Sequence, residues 1–264
     1  MAEFTALDVQ TLRKASGAGM MDAKLALTEA DGDFERAATW LREKGLAKAA
    51  ARSDRENVEG AVAAHVAGPV GAIVELKCET DFVAKSDRFT GLAQELAELV
   101  TREGPEAVAG RSSDIDDLKL TLKENIELGR VVHFEAAEGA VIDAYVHRQS
   151  GRGVNAVLVE LQDGSIELAH DVALHIASSR PEYLSIEDVP ADVVEVERST
   201  LETLSRNEGK PEQALDRIVE GRLRGWYAER VLVEQKFVKD EKQSISQLLG
   251  DARLNRFAQV EIGR

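Results

Sequence analysis

Apolar positions along this chain follow two periods, and the switch between them divides it. From Thr5 to about Gly45 the spacing is helical: Val9 and Leu12, then Ala23, Ala26, Leu27 and Ala30, then Phe34, Ala37, Trp40 and Leu41. Gly17-Ala18-Gly19 and Asp31-Gly32-Asp33 interrupt it. Thr5 and Asp8 have capping-box spacing, and Asp33 is placed to cap the last segment, so residues 1–45 read as three helices. Residues 46–57, Ala-rich with Lys48, Arg52 and Arg55, read as a linker that is partly helical. The period then drops to two. Ile73-Val74-Glu75-Leu76 returns as Leu158-Val159-Glu160-Leu161. Before the first copy come Val62 to Val66 and the turn Gly68-Pro69; before the second come Val141 to Val146 and Gly151-Arg152-Gly153. A helix follows each, through Phe89, Leu92, Ala93, Leu96, Leu99 and Val100 in one and Leu168, Val172, Ala173, Ile176 and Ala177 in the other.

The pattern predicts an α+β fold with a duplicated core of strand, turn, strand and helix. Residues 58–139 form the first module and 140–189 the second, bridged by a helical stretch around Leu118 to Leu128 and a strand from Val131 to Ala136. Residues 190–225 read as two helices reversed at Gly209-Lys210-Pro211, an antiparallel hairpin. Two helices enclose little apolar surface, so this hairpin either projects or packs on a second copy of itself as a homodimer. Residues 226–264, with Phe237, Val238, Ile245, Leu248, Leu249, Phe257 and Val260, return to the core. The N-terminal unit, small and Ala-rich, is similar to a ubiquitin-associated-type bundle.

The copies differ at one connection. The second passes from strand to helix through the short polar turn Gln162-Asp163-Gly164-Ser165, whereas the first spends Cys78 to Ser86 on the same task. That longer segment carries Thr80, Asp81, Phe82 and Val83. Joining segments favour Gly, Asn, Asp, Ser and Pro. Apolar side chains there either tuck under their own helix, beside Phe89, or enter a partner. The module can close without the addition, which favours a functional role.

Charge narrows the partners. The chain has 264 residues, 44% hydrophobic and 31% charged, with a net charge of −15. This describes a globular protein rather than a disordered one. Acidity argues against phosphate-driven binding to nucleic acid or anionic membrane. It suits a protein partner with a basic face, or serves solubility alone. No apolar run approaches the ~20 residues of a membrane span. The N-terminus lacks a basic start and an apolar signal core, and a cytoplasmic location is expected.

Catalytic chemistry finds little support. No Gly-rich loop ending in Gly-Lys-Ser/Thr and no dinucleotide fingerprint occur. The histidines are His65, His133, His147, His170 and His175, and the last two are spaced poorly for shared metal ligation. The single cysteine, Cys78, excludes an internal disulfide and reads as a strand-end core residue. No metal or cofactor is expected.

At Thr80-Asp81-Phe82-Val83 and Gly17-Ala18-Gly19-Met20-Met21-Asp22-Ala23-Lys24 the chain resembles the bacterial elongation factor Ts family. The likeness continues through Asp31-Gly32-Asp33, Glu79 to Lys85, Glu220-Gly221-Arg222 and Phe237-Val238. It departs at Lys239, where some relatives carry Met, and at Ala23, where Cys is common. The chain also stops at Glu261-Ile262-Gly263-Arg264, where several relatives continue into a further contacting helix.

The resemblance implies a nucleotide exchange factor with no catalytic residues of its own. Its partner would be elongation factor Tu, GDP-bound or nucleotide-free. Met20, Met21 and Lys24 would dock on the partner's nucleotide domain, while the Thr80–Val83 segment, led by Asp81 and Phe82, would enter between helices and dislocate Mg²⁺. His147 and Val238 would touch further parts of the partner. Two other readings remain open at this point. One is an adaptor that binds through its N-terminal bundle, with the Asp81-Phe82 segment dispensable. The other is an enzyme using Cys78 or a histidine.

Overall fold

A computed structural model describes residues 4–50 and 54–264. Helix α1 (Ala6–Ser16) begins at a reciprocal cap: the Thr5 N–H donates to the Asp8 carboxylate at 2.7 Å, and the Asp8 N–H donates to the Thr5 hydroxyl at 3.3 Å. It ends at Gly17, whose φ of 68° closes the last turn through its N–H to the Arg13 carbonyl. Helices α2 (Met20–Glu29) and α3 (Phe34–Ala50) follow, and the Asp33 carboxylate accepts from the Arg36 N–H at 3.0 Å. Their shared core is Val9, Leu12, Ala23, Ala26, Leu27, Ala30, Ala37 and Leu41. So alanine-rich a core buries little per residue. Helix α3 does not end at Gly45, and the partly helical linker read from residue 46 begins as its last residues; residues 51–53 lie outside the described residues.

Strands β1 (Glu59–Ala67) and β2 (Val70–Cys78) form a hairpin. A four-residue helix α4 (Asp81–Ala84) and the long α5 (Asp87–Glu103) come next. A 3₁₀ turn, Pro105–Arg111, leads into α6 (Ser112–Leu122), and β3 (Ile126–Glu135) pairs antiparallel with β2. Here the expected boundary was displaced. Lys123 takes a left-handed φ of 61° and stops the helix, so Ile126 and Leu128 belong to a strand rather than to a helix reaching residue 128.

The second module repeats the plan with β4 (Ala140–Gln149), β5 (Arg152–Gln162) and α7 (Ile166–Ser179), which Ser165 caps. Helices α8 (Ala191–Asn207) and α9 (Leu215–Arg230) make the hairpin. Ion pairs Arg198–Glu220 at 2.6 Å and Arg222–Glu208 at 2.5 Å cross between them. The hairpin was expected to end at Gly225, but α9 continues five residues further, with Arg230 stacked 4.9 Å from the Trp226 ring. The short strands β6 (Lys236–Phe237) and β7 (Asp240–Ser244), helix α10 (Ile245–Leu249) and strand β8 (Arg253–Glu261) complete the chain.

The two larger sheets have three antiparallel strands each, β1-β2-β3 and β4-β5-β8, and β6 pairs with β7 alone. The larger sheets meet face to face through Val62, Ile73, Phe134, Ile142, Ala156, Leu158 and Val260. Helix α5 covers the outer face of the first sheet and α7 that of the second. Both central strands are therefore buried on two faces. This explains the near-continuous apolar runs: Ile73 and Leu158 point between the sheets, while Val74, Leu76, Val159 and Leu161 point toward the helices.

The acidic member of the repeat is placed alike in both modules. Glu75 and Glu160 are each buried beside a bulge between the central and third strands. The Glu75 carboxylate accepts from the Arg130 N–H at 2.9 Å, and a Cβ at Gly129 would lie 2.3 Å from it, so glycine leaves room for the carboxylate. Glu160 accepts from the Ala137 N–H at 2.9 Å, the Asn255 amide at 3.2 Å and the Arg256 guanidinium at 2.5 Å. Burial pushes its pKa up, but these donors prevail and hold it below the usual carboxylate value.

Candidate functional site

The added segment of the first module folds as one helical turn seated on the sheet end. A four-residue helix has no stability of its own, because nucleation costs more than one turn returns. Its neighbours therefore hold it. Thr80 is the cap residue, with its hydroxyl 3.4 Å from the Val83 N–H. The Glu124 carboxylate, just past the end of α6, accepts from the Glu79 N–H and the Thr80 N–H at 3.1 Å each, and from the Thr80 hydroxyl at 2.5 Å. Glu79 answers by accepting from the Asn125 N–H at 2.7 Å and pairing with Arg55 at 3.1 Å. At the far end the Ser86 hydroxyl donates to the Val83 carbonyl at 2.8 Å.

On this turn Val83 and Ala84 face inward and join the core beneath α5. Asp81 lies at the surface and pairs with Lys85 at 2.5 Å; that hydrogen bond holds its carboxyl below the ordinary range. Phe82 points outward with 83% of its surface exposed. Of the four residues singled out from sequence, Thr80 and Val83 thus anchor the turn, while Asp81 and Phe82 form its outer surface. Exposing a whole phenylalanine ring forgoes ~1.5–3 kcal/mol of burial.

The other predicted residues also reach the surface, on separate elements. Met20 (48% exposed), Met21 (75%) and Lys24 occupy the outer side of α2, joined there by exposed Leu25, which sequence reading passed over. Flexible methionines suit an adaptable contact. A cleft lined by Arg13, Lys14, Gly17 to Met20 and Lys123 brings the start of α2 beside the turn that carries Glu124. His147 is exposed near the end of β4, where the register with β5 shifts. Val238, 42% exposed, sits at the tip between β6 and β7. Lys239 beside it pairs with Asp171 of α7 at 2.7 Å.

His175 fixes that tip. The ring is buried in α7, with Nε2 2.9 Å from the Gln235 side-chain oxygen and Nδ1 accepting from the Val238 N–H at 3.2 Å. These partners require the tautomer protonated at Nε2. Burial pushes its pKa down, partly opposed by Gln235. A lowered native pKa gives stability that is complete above the unfolded value of ~6.5 and is lost as pH falls toward the native value. Between about pH 7.5 and about pH 5.5, urea denaturation is expected to show a larger loss of stability in the native sequence than in His175→Gln, which keeps an acceptor but cannot titrate.

Cys78 is fully buried, and its thiol lies 3.3 Å from the Thr80 carbonyl. Burial, followed by the charge of Glu124, pushes its pKa up to about 12. A thiol so placed is not a nucleophile at neutral pH. The His170 ring is half-exposed, with Nδ1 2.9 Å from the Asp143 carboxylate.

Nothing in the sequence marks Glu79, Glu124, Asn125 or His175 for the contacts they make. Each acts through a backbone group of a residue distant along the chain, and such contacts leave no local periodic trace.

The chain is thus a layered α+β body with an exposed aromatic tip on α4 and exposed apolar side chains on α2. The family model described as Elongation factor TS matches residues 79–264. Elongation factor Ts of Acidothermus cellulolyticus is 46% identical over 278 aligned residues, and that of Micrococcus luteus is 45% identical over 285. The protein of the same name from Mycobacterium ulcerans is 42% identical over 285. All of this chain and all of each relative are covered in these three alignments. The chain belongs to the elongation factor Ts family.

Proposed function

We propose that this chain promotes release of GDP from elongation factor Tu by contact alone, letting GTP rebind. The observation that carries this reading is the Phe82 ring, outward on a helical turn whose other apolar residues are buried and whose cap is clamped. The turn enters between helices beside the nucleotide. Phe82 supplies the volume, Asp81 offers a carboxylate to donors on the partner, and the resulting shift dislocates the partner's Mg²⁺ and loosens its phosphate pocket. Thr80 and Val83 serve as the mount. The N-terminal bundle, read as ubiquitin-associated-like, docks on the nucleotide domain through Met20, Met21 and Lys24. His147 and Val238 reach further surfaces of the partner. The activity belongs in the cytoplasm.

Linkage limits what such a factor does. If it weakens GDP by some ratio, GDP weakens the factor by the same ratio, so it speeds equilibration and the GTP supply sets direction. The test is stopped-flow release of a fluorescent GDP from elongation factor Tu with and without the chain. A rate that rises and saturates with added chain supports the reading; an unchanged rate overturns it.

A further inference from the structure

We propose that Glu124 is a positioning residue that holds the α4 turn ready before any partner arrives, an inference that rests on the exchange reading above. Its carboxylate receives three donors, all from Glu79 and Thr80, at the point where β2 ends and α4 begins. Hydrogen bonds to an ionised acceptor are stronger than neutral ones, and all three act on residues adjoining Asp81 and Phe82. Glu79 reciprocates across the same gap by accepting from the Asn125 N–H. The result is a closed bracket between the β2–α4 connection and the α6–β3 turn.

The bracket also reaches the N-terminal bundle. Arg55 pairs with Glu79, and its carbonyl accepts from the Asn125 side chain at 3.0 Å, so the segment leading into β1 is tied in. Helix α6, which ends beside Glu124, pairs with α3 through Asp117 and Arg42 at 3.5 Å. A Cβ at Gly45 of α3 would lie 2.5 Å from Leu120 of α6, so the two helices approach closely. The bundle that carries Met20 and Met21 thus rests on α6 through contacts of its own, and the turn that carries Phe82 rests on Glu124 just past the end of that helix.

This placement separates docking from insertion. Met20, Met21, His147 and Val238 lie on other elements, so a loosened α4 leaves initial docking intact. A loose turn must be ordered as Phe82 enters, and that cost falls on the step that expels nucleotide. In stopped-flow release of fluorescent GDP from elongation factor Tu, Glu124→Ala is expected to lower the saturating rate by about tenfold or more. The concentration giving half that rate should stay within about twofold of the native value. Glu124→Gln keeps an acceptor oxygen and should recover most of the rate. Amide hydrogen exchange supplies an independent readout: Glu124→Ala should lose protection at Val83 to Lys85 while the strand amides of β2 keep theirs.

An unchanged saturating rate in Glu124→Ala overturns the proposal. So does a changed half-saturation with the maximum preserved, because that marks Glu124 as a docking contact. Retained protection across Val83 to Lys85 also overturns it. If Glu124→Ala fails to fold, Thr80→Val, which removes the hydroxyl that joins cap to carboxylate, carries the same two readouts. Phe82→Ala run alongside separates the two ideas. If it exchanges normally, the Phe82 wedge has failed and the positioning of its turn with it; if it is impaired while Glu124→Ala is normal, only the positioning role has failed.

Discussion

Phe82→Ala is expected to lower the saturating rate of GDP release from elongation factor Tu by between about tenfold and a hundredfold, with no loss of fold. The size follows from the ring. Full burial of a phenylalanine is worth ~1.5–3 kcal/mol, and each ~1.4 kcal/mol realised only in the transition state is a factor of ten in rate. Stability should move by less than ~0.5 kcal/mol, because the ring is 83% exposed and contributes nothing to the isolated chain's core. Stopped-flow release beside circular dichroism reads both quantities. Asp81→Ala should cost less, since in the free chain that carboxylate already has a partner in Lys85. A Phe82→Ala variant that releases GDP at the native rate would sink the wedge. Exchange would then have to run through the other contact surfaces, with this turn dispensable.

Glu160→Ala is expected to destabilise the core by about 3 kcal/mol, a far larger loss of stability than Phe82→Ala should cause. The carboxylate is buried and serves three donors from two separate segments: Ala137 before β4, and Asn255 and Arg256 on β8. Removing it takes the acceptor from the Ala137 N–H and leaves the Arg256 guanidinium, among the described residues, to the Glu135 carbonyl and the Phe134 ring. Glu160→Gln keeps one acceptor oxygen and should cost about half as much. Urea denaturation followed by circular dichroism is the suitable measurement, since the tryptophans Trp40 and Trp226 lie in the bundle and on α9, outside the sheets. A loss under ~1 kcal/mol would mean that the bulge relaxes and finds other acceptors.

Much of the architecture could be read from pattern because its signals are local. Capping at Thr5 and Asp33, the break at Gly17, the two hairpin turns and the duplicated apolar tetrad each occupy a few adjacent residues. The tetrad does not show that its glutamates lie buried at matching bulges, which depends on donors from the third strands and the loops beside them. What failed were boundaries decided by tertiary context. Gly45 and Gly225 look like helix ends, yet both helices continue past them. Lys123 looks like a helix residue and ends one. The tail was expected in the core, but nothing local said that β8 would be the third strand of the second sheet, the counterpart of β3. At the candidate site, the Thr-Asp-Phe-Val segment stood out as an addition to a module. The division of labour within it did not, because which side chains face inward depends on where Glu124 pins the turn.

The α8–α9 pair leaves the body through a narrow neck. The Glu182 and Tyr183 N–H groups both donate to the Arg230 carbonyl, and the Leu232 N–H donates back to the Tyr183 carbonyl at 2.9 Å, so the outgoing and returning strands are stitched together before the helices begin. An appendage rooted at two adjacent points behaves like a branch grafted on a trunk. Evolution can lengthen it, shorten it or prune it between Ser185 and Arg230 without re-threading a single sheet strand. Pruning would turn a long excursion into a tight loop, a change the backbone tolerates at little entropic cost.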